Sequence, residues 1–362
     1  MIAELAPPSR QTLIEVVYPA HRGVIGLRGS HAPLSWTHTE PPAIREGDRL
    51  LFSLSVPNGE VIELKLVRND EDWAAGRNYA VHAGDHLRLE PYFDRGNGAL
   101  EPPEVLEGEG ETLGVQVLLP PSYAEQENKR YPVLYTLDGQ ALWSISQDPF
   151  GIWHLDTTFH QLYELNAVEE VLVVGIDTSE RRIDRLSPVA DAKHRGGGGE
   201  RFLRTITEYL VPHINRRYRT KPEREHTGIM GSSMGGLFAF TAAWTRSDVF
   251  GKAACLSSSF WWANRHAVRL VQRDGCPEPR PLIYIDSGAA MSALEQDANL
   301  RDGFHHTRAM FRALAVHGYA PGVNLHRLVF AGASHDPASW SARVAIPLQL
   351  LFPPELTVPH CG

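Results

Sequence analysis

Cysteine is scarce in this chain: Cys255, Cys276 and Cys361 are the only three in 362 residues. Odd in number and scattered, they fit neither a disulfide framework nor a zinc knuckle, and they suit a reduced, cytoplasmic compartment. Cys255 lies in the apolar run Ala253-Ala254-Cys255-Leu256, where a core filler belongs. Long apolar runs are also missing. None approaches the roughly 18 residues of a membrane span, so no membrane partner is expected. Met1 to Pro8 lacks the basic start and apolar core of an export leader. Basic residues are not in excess: 35 Lys and Arg face 43 Asp and Glu, a net charge of −8. That balance argues against a nucleic-acid partner, which needs basic stripes to meet phosphates. His305-His306 has no second ligand pair, so no metal site is expected. Gly196 to Gly199 lacks the Lys-Ser/Thr of a phosphate loop and reads as a mobile segment. No motif implies a cofactor.

What is present is a turn with chemistry in it. Gly231-Ser232-Ser233-Met234-Gly235 fits G-x-S-x-G, the elbow that lifts a nucleophilic serine between a strand and a helix. Small residues two places either side of Ser233 are required because the backbone there is strained and closely approached. The flanks agree: an apolar run ends in Ile229-Met230, and Leu237 to Trp244 continues as a helix.

A serine elbow needs a base, and the acid should come before it in the chain. His335, in Gly332-Ala333-Ser334-His335-Asp336, follows the β-rich run Leu325 to Phe330 and precedes a helical segment. It therefore falls at the C-terminal end of a strand, where open α/β sheets collect catalytic groups. The acid is expected after the strand Pro281 to Gly288. Asp297 is the choice, placed at the end of a loop before a helix starting at Asn299-Leu300; Glu295 is the alternative and Asp286 a weaker one. Two N–H donors for an oxyanion are expected at Met234, just after the nucleophile, and at Gln140, in the turn after Tyr131 to Asp138.

Leu137-Asp138-Gly139-Gln140, Gly231 to Gly236, Ser257-Ser258-Ser259-Phe260-Trp261-Trp262 and Gly332 to Trp340 follow one another in the order of a known family. The chain resembles the esterase branch of the α/β-hydrolases that includes enterochelin (siderophore) esterases, S-formylglutathione hydrolase, feruloyl and acetyl-xylan esterases and the mycolyltransferases. The resemblance covers residues 113–352 and implies Ser233 as nucleophile, His335 as base, and backbone donors at Met234 and Gln140. Many relatives carry the acid about three residues after the glycine matching Gly288, where this chain has Met291. Relatives also place a basic residue near the substrate after the fourth strand, here Arg181, Arg182 or Arg185, with Arg185 taken as the substrate-binding one.

Pattern divides the chain. Residues 1–94 alternate short β-like runs with polar turns, as an antiparallel sandwich does; 95–112 read as a linker, 113–353 as the α/β-hydrolase catalytic domain and 354–362 as a tail. The fold class expected is thus α/β, a mostly parallel sheet flanked by helices and preceded by a small all-β sandwich. The first region resembles starch-binding modules in its order of strands and tryptophans, which implies glycan contact through Trp36 and Trp73; sandwich domains that precede siderophore esterases have the same general shape and frame the active-site entrance. In the catalytic region, Phe202, Ile206, Leu210, Ile214 and Tyr218 recur every four residues as an amphipathic helix, and Leu300, Phe304, Thr307, Phe311 and Leu314 repeat the pattern up to Gly318.

The function expected is ester hydrolysis through an acyl-enzyme on a siderophore-type, aryl or other small acyl ester. The alternatives are a feruloyl or acetyl esterase of carbohydrates, and a non-catalytic carbohydrate-binding protein on a hydrolase scaffold. The partner is a small-molecule ester, and a homo-oligomer is compatible with the composition. After the sixth strand Trp262 is expected to face the cleft and Trp261 the core.

Overall fold

The computed structural model describes residues 8–96, 98–108, 110–289 and 302–354. Two four-stranded sheets within residues 9–89 pack face to face. In one, Ser9–Val17 lies between Arg49–Pro57 (antiparallel) and His86–Leu89 (parallel); in the other, Val61–Arg68 is central. Arg49–Pro57 shows why this forms: Leu50, Phe52, Leu54 and Val56 point inward and alternate with exposed residues, the two-residue period of a half-buried strand. These side chains join Ile14, Val16, Ile62 and Leu64 in one core.

The second body is a central sheet flanked by helices. Its strands are β1 Glu104–Gly108, β2 Glu111–Leu119, β3 Val133–Leu137, β4 Leu172–Ile176, β5 Thr227–Ser232, β6 Lys252–Leu256, β7 Leu282–Ala289 and β8 Leu325–Ala331. Their spatial order is β1-β2-β4-β3-β5-β6-β7-β8; β1 and β2 run antiparallel to their neighbours and the rest are parallel. Every residue of β3, β4 and β5 is buried, which is why those segments read as apolar runs rather than alternating ones. The expected linker does not hold for two of its segments. Ala99–Leu100 and β1 both pair antiparallel with β2 and extend the central sheet.

The helices are α1 Leu155–Glu164, α2 Arg182–Leu186, α3 Gly199–Thr205, α4 Val211–Arg217, α5 Met234–Thr245, α6 Trp262–Asp274, α7 Phe304–Val316, α8 Pro337–Ser341 and α9 Ala345–Leu351. A π turn at Ile206–Leu210 joins α3 to α4, so the four-residue apolar repeat from Phe202 to Ile214 traces one buried stripe. The structure starts α7 at Phe304, with Gly303 left-handed before it. Among the described residues no helix is long and apolar enough to cross a membrane, and no group of His, Cys, Asp or Glu could hold a metal ion.

The two bodies meet at one end of the central sheet. Glu125, fully buried, accepts from Tyr18 Oη (2.7 Å), Phe93 N–H (2.9 Å) and Asp94 N–H (3.0 Å), and Arg68 lies 3.4 Å away. Gln126 donates to Pro91 O and Val17 O, and Asn166 donates to Arg77 O. Residues 120–130 and 165–170 lead into the N-terminal ends of β3 and β4. These contacts are therefore at the opposite end from the elbow that follows β5, and they do not frame an entrance to it.

Candidate active site

Ser233 stands between β5 and α5 with φ 55° and ψ −118°, a conformation side chains rarely adopt. Its neighbours explain the glycines. A Cβ at Gly231 would come within 2.6 Å of the Gly235 backbone, and one at Gly236 would run into Ser258 Oγ. The end of β6 laces the elbow down: Ser233 N–H donates to Leu256 O (3.0 Å) and Ser259 N–H to Ser233 O (2.9 Å).

His335 arrives on the loop after β8, its Nε2 2.8 Å from Ser233 Oγ and its Nδ1 2.6 Å from Asp302 Oδ1. An ionised carboxylate can only accept, so Nδ1 carries the proton and Nε2 is free to accept from the serine hydroxyl. Trp340 meets the imidazole edge to face at 5.1 Å, and Asp336 caps α8 by accepting from Ser339 N–H.

The carboxylate that meets His335 is thus Asp302, at the turn before α7. Asp297 and Glu295 fall outside the described residues, as does Met291. Asp302 is fully buried, and its second oxygen, Oδ2, accepts from Ser257 Oγ (2.6 Å) and from Gly288 N–H. Asp286 does not reach the histidine. Arg343 bridges it, donating through Nε (3.0 Å) and Nη2 (3.1 Å), and Tyr284 Oη donates to it at 2.9 Å. Burial pushes the Asp286 carboxyl above its usual range, and Arg343 only partly offsets this.

The turn carrying Gln140 is pinned from two sides. Asp138 is left-handed (φ 59°, ψ 44°), and a Cβ on Gly139 would meet the Gly175 and Ile176 backbone at 2.8 Å. Arg182 grips Asp138 with Nε and Nη2, each at 2.7 Å, and Thr178 Oγ1 donates to the same carboxylate. Burial works against the Arg182 charge, but its hydrogen bonds and attraction to Asp138 outweigh this and hold its pKa up. Gly235 faces this turn, its Cβ direction meeting Leu137 Cβ at 3.3 Å and Asp138 Oδ2 at 3.4 Å. The structure thereby brings the Gln140 turn against the first turn of α5, where Met234 N–H is one of the donors a helix leaves without an internal partner.

Two expected substrate residues are elsewhere. Arg185 is buried against β2, donating to Glu111 Oε2 (3.1 Å) and Thr112 O (2.9 Å), so of the three arginines only Arg182 touches the site. Trp262 is 2% exposed with Nε1 bonded to Val189 O, whereas Trp261 is 38% exposed beside His194. The expected alternation presumed an extended segment; Trp261 is in helical conformation (φ −74°, ψ −21°) at the start of α6, so successive side chains do not point opposite ways. Sequence reasoning also missed Ser259, whose Oγ is 3.3 Å from Ser233 Oγ. Only its place in the Ser257-Ser258-Ser259 run after β6 signalled it.

A strand order of this kind, with a serine elbow after β5 and a histidine after β8, defines the α/β-hydrolase fold. Residues 108–346 match the family described as "Putative esterase", and the chain belongs to that family. It is 30% identical over 152 residues to the Bacillus subtilis protein YbbA, covering 40% of this chain and 56% of that protein. To the ferri-bacillibactin esterase BesA of Bacillus subtilis it is 27% identical over 229 residues, 57% of this chain and 73% of that one. The chain thus spans just over half of YbbA and about three quarters of BesA. The structure of the enterobactin esterase FES from Shigella flexneri superposes with a TM-score of 0.54 at 14% identity, covering 91% of this chain and 87% of that one. This last likeness extends over both bodies and concerns the fold.

Proposed function

We propose that this protein hydrolyses carboxylic esters through an acyl-enzyme on Ser233. The observation that carries the reading is the hydrogen-bonded line from Ser233 Oγ through His335 to Asp302, 2.8 and 2.6 Å, at the C-terminal ends of the parallel strands. His335 Nε2 takes the serine proton as Oγ attacks the ester carbon, and Asp302 stabilises the imidazolium that results. The carbonyl oxygen, now anionic, receives hydrogen bonds from Met234 and Gln140 N–H. Collapse expels the alcohol, which recovers the proton from His335; a water activated by the same imidazole then releases the acid.

The substrate reading is a siderophore-type, aryl or other small acyl ester. BesA, named for ferri-bacillibactin, and the half-exposed ring of Trp261 two residues beyond Ser259 support it. The described cysteines, Cys255 and Cys276, are both free thiols, which supports action in a reducing cytoplasm. Trp36, tilted against Trp73 at 6.3 Å with Arg28 over the second ring, is where glycan contact would occur. Turnover of p-nitrophenyl acyl esters, feruloyl esters and ferric catecholate siderophores tests the reading. Hydrolysis abolished by Ser233→Ala is expected for at least one class, and hydrolysis that survives the substitution contradicts the reading.

A further inference from the structure

Behind the His335–Asp302 pair lies an ion pair with no solvent contact to justify it. Asp286, on β7, and Arg343, after α8, are both buried, and Arg343 Nη2 also reaches Ser257 Oγ (2.5 Å) and lies 3.5 Å from Asp302 Oδ2. Three features of this cluster are costly. A buried ion pair seldom repays its desolvation. Arg343 Nη1 finds no acceptor among the described residues, and the guanidinium carbon lies over the Phe330 ring, 5.0 Å from its centroid. Ser257 has φ 43°, left-handed for a non-glycine residue, and is fixed there because its N–H donates to Asp286 Oδ1 (2.9 Å) and Asp286 O (3.2 Å).

All three costs converge on one atom. Ser257 is held by Asp286 and its Oγ accepts from Arg343, so its single hydroxyl proton is directed to Asp302 Oδ2. With Oδ2 anchored by Ser257, Gly288 N–H and Arg343, only Oδ1 remains to face the imidazole. We propose that Arg343, with Asp286 and Ser257, is a positioning element for the triad acid: it fixes the rotamer of Asp302 and through it the tautomer and aim of His335. The inference rests on the reading of Ser233 as nucleophile. Arg343 touches no reacting atom.

The test compares Arg343→Lys, Arg343→Met, Ser257→Ala and the double variant Asp286→Leu/Arg343→Met with wild type. Two readouts are taken: the rate at which a fluorophosphonate labels Ser233, and the low-field proton resonance of the His335 Nδ1–H···Asp302 hydrogen bond. Arg343→Met is expected to slow labelling by about 10²-fold, the scale of a small misplacement in a site, and to lose the resonance. Arg343→Lys should retain an intermediate rate. The double variant, which removes both members of the Arg343–Asp286 pair, should melt at or above the Arg343→Met temperature yet label as slowly, so that rate and stability part company. With p-nitrophenyl acetate the loss should appear in kcat, with KM within about twofold. Labelling of folded Arg343→Met at the wild-type rate, or rates that follow melting temperature across the series, would overturn the proposal. If neither Arg343→Met nor the double variant folds, Ser257→Ala decides: a tenfold slower rate supports it and an unchanged rate overturns it. Wild type that labels nowhere counts against Ser233 as nucleophile, and the resonance in the variants still decides the role of Arg343.

Discussion

Among single residues, the first to test is the carboxylate that serves His335. Asp302→Asn keeps the shape but offers the imidazole an amide, so the wrong tautomer becomes accessible; kcat should fall by about 10³–10⁴-fold. Asp297→Ala and Glu295→Ala should cost less than about fivefold, and steady-state kinetics of the three variants on one ester decides between them. The ranking reversed would return the role to Asp297 or Glu295. Asp302 is not legible from the sequence because the apolar repeat beginning at Leu300 predicts a helix from Asn299, which places the acid upstream of it. The Asp302-Gly303 pair just before Phe304 was the available signal, since a left-handed glycine marks the true helix start. For the tryptophans, Trp261→Ala should raise KM for aromatic acyl esters about fivefold more than for acetyl esters, because only its ring is open to a ligand. Trp262→Ala should instead lower the melting temperature, as loss of a buried indole does. Equal KM effects of Trp261→Ala on both ester classes would remove it from the substrate site.

At the scale of elements, the sequence was most readable where one physical demand dominates. The elbow announced itself because close approach excludes side chains at Gly231 and Gly236, and β3, β4 and β5 because double-sided burial demands apolar runs. β1 reads as linker because a short edge strand with one buried residue carries little pattern, and its ladder partner, not its composition, makes it a strand. The turn bearing Gln140 was found by its glycine, but what stiffens it, the Arg182–Asp138 fork, joins residues 44 positions apart and leaves no local trace. Arg182→Ala should therefore lower kcat on p-nitrophenyl esters about 10-fold to 10²-fold, with KM little changed, by loosening one oxyanion donor. Unchanged kcat would mean that the turn holds its shape without the fork.

At the scale of the whole molecule, the sandwich is seated on the end of the sheet opposite Ser233, and two buried charges tie it there or hold it together. Glu125→Ala would take the buried acceptor from Tyr18 Oη, Phe93 N–H and Asp94 N–H, at a cost of about 3–5 kcal/mol. A lower unfolding midpoint with near-normal kcat on small esters is expected; loss of kcat without loss of stability would show that the sandwich reaches the site. Lys65, enclosed by the carbonyls of Ala75, Gly76 and Arg77, has its pKa lowered by burial to about 8. The unfolded chain then holds a proton that the folded one has released between about pH 8 and pH 10.5, so this group's contribution to stability rises with pH across that window. Denaturant titrations of wild type and Lys65→Met at pH 7 and pH 10 should show wild type gaining relative to the variant, and a parallel pH response would contradict it.

Whether Ser233 is a nucleophile made reactive by His335 and Asp302 is decided by mapping a fluorophosphonate adduct by peptide mass spectrometry in wild type and His335→Ala. A single adduct on Ser233 is expected, formed at least about 10³-fold more slowly without the histidine. An adduct on Ser232, or equal labelling of Ser233 in both proteins, would contradict it.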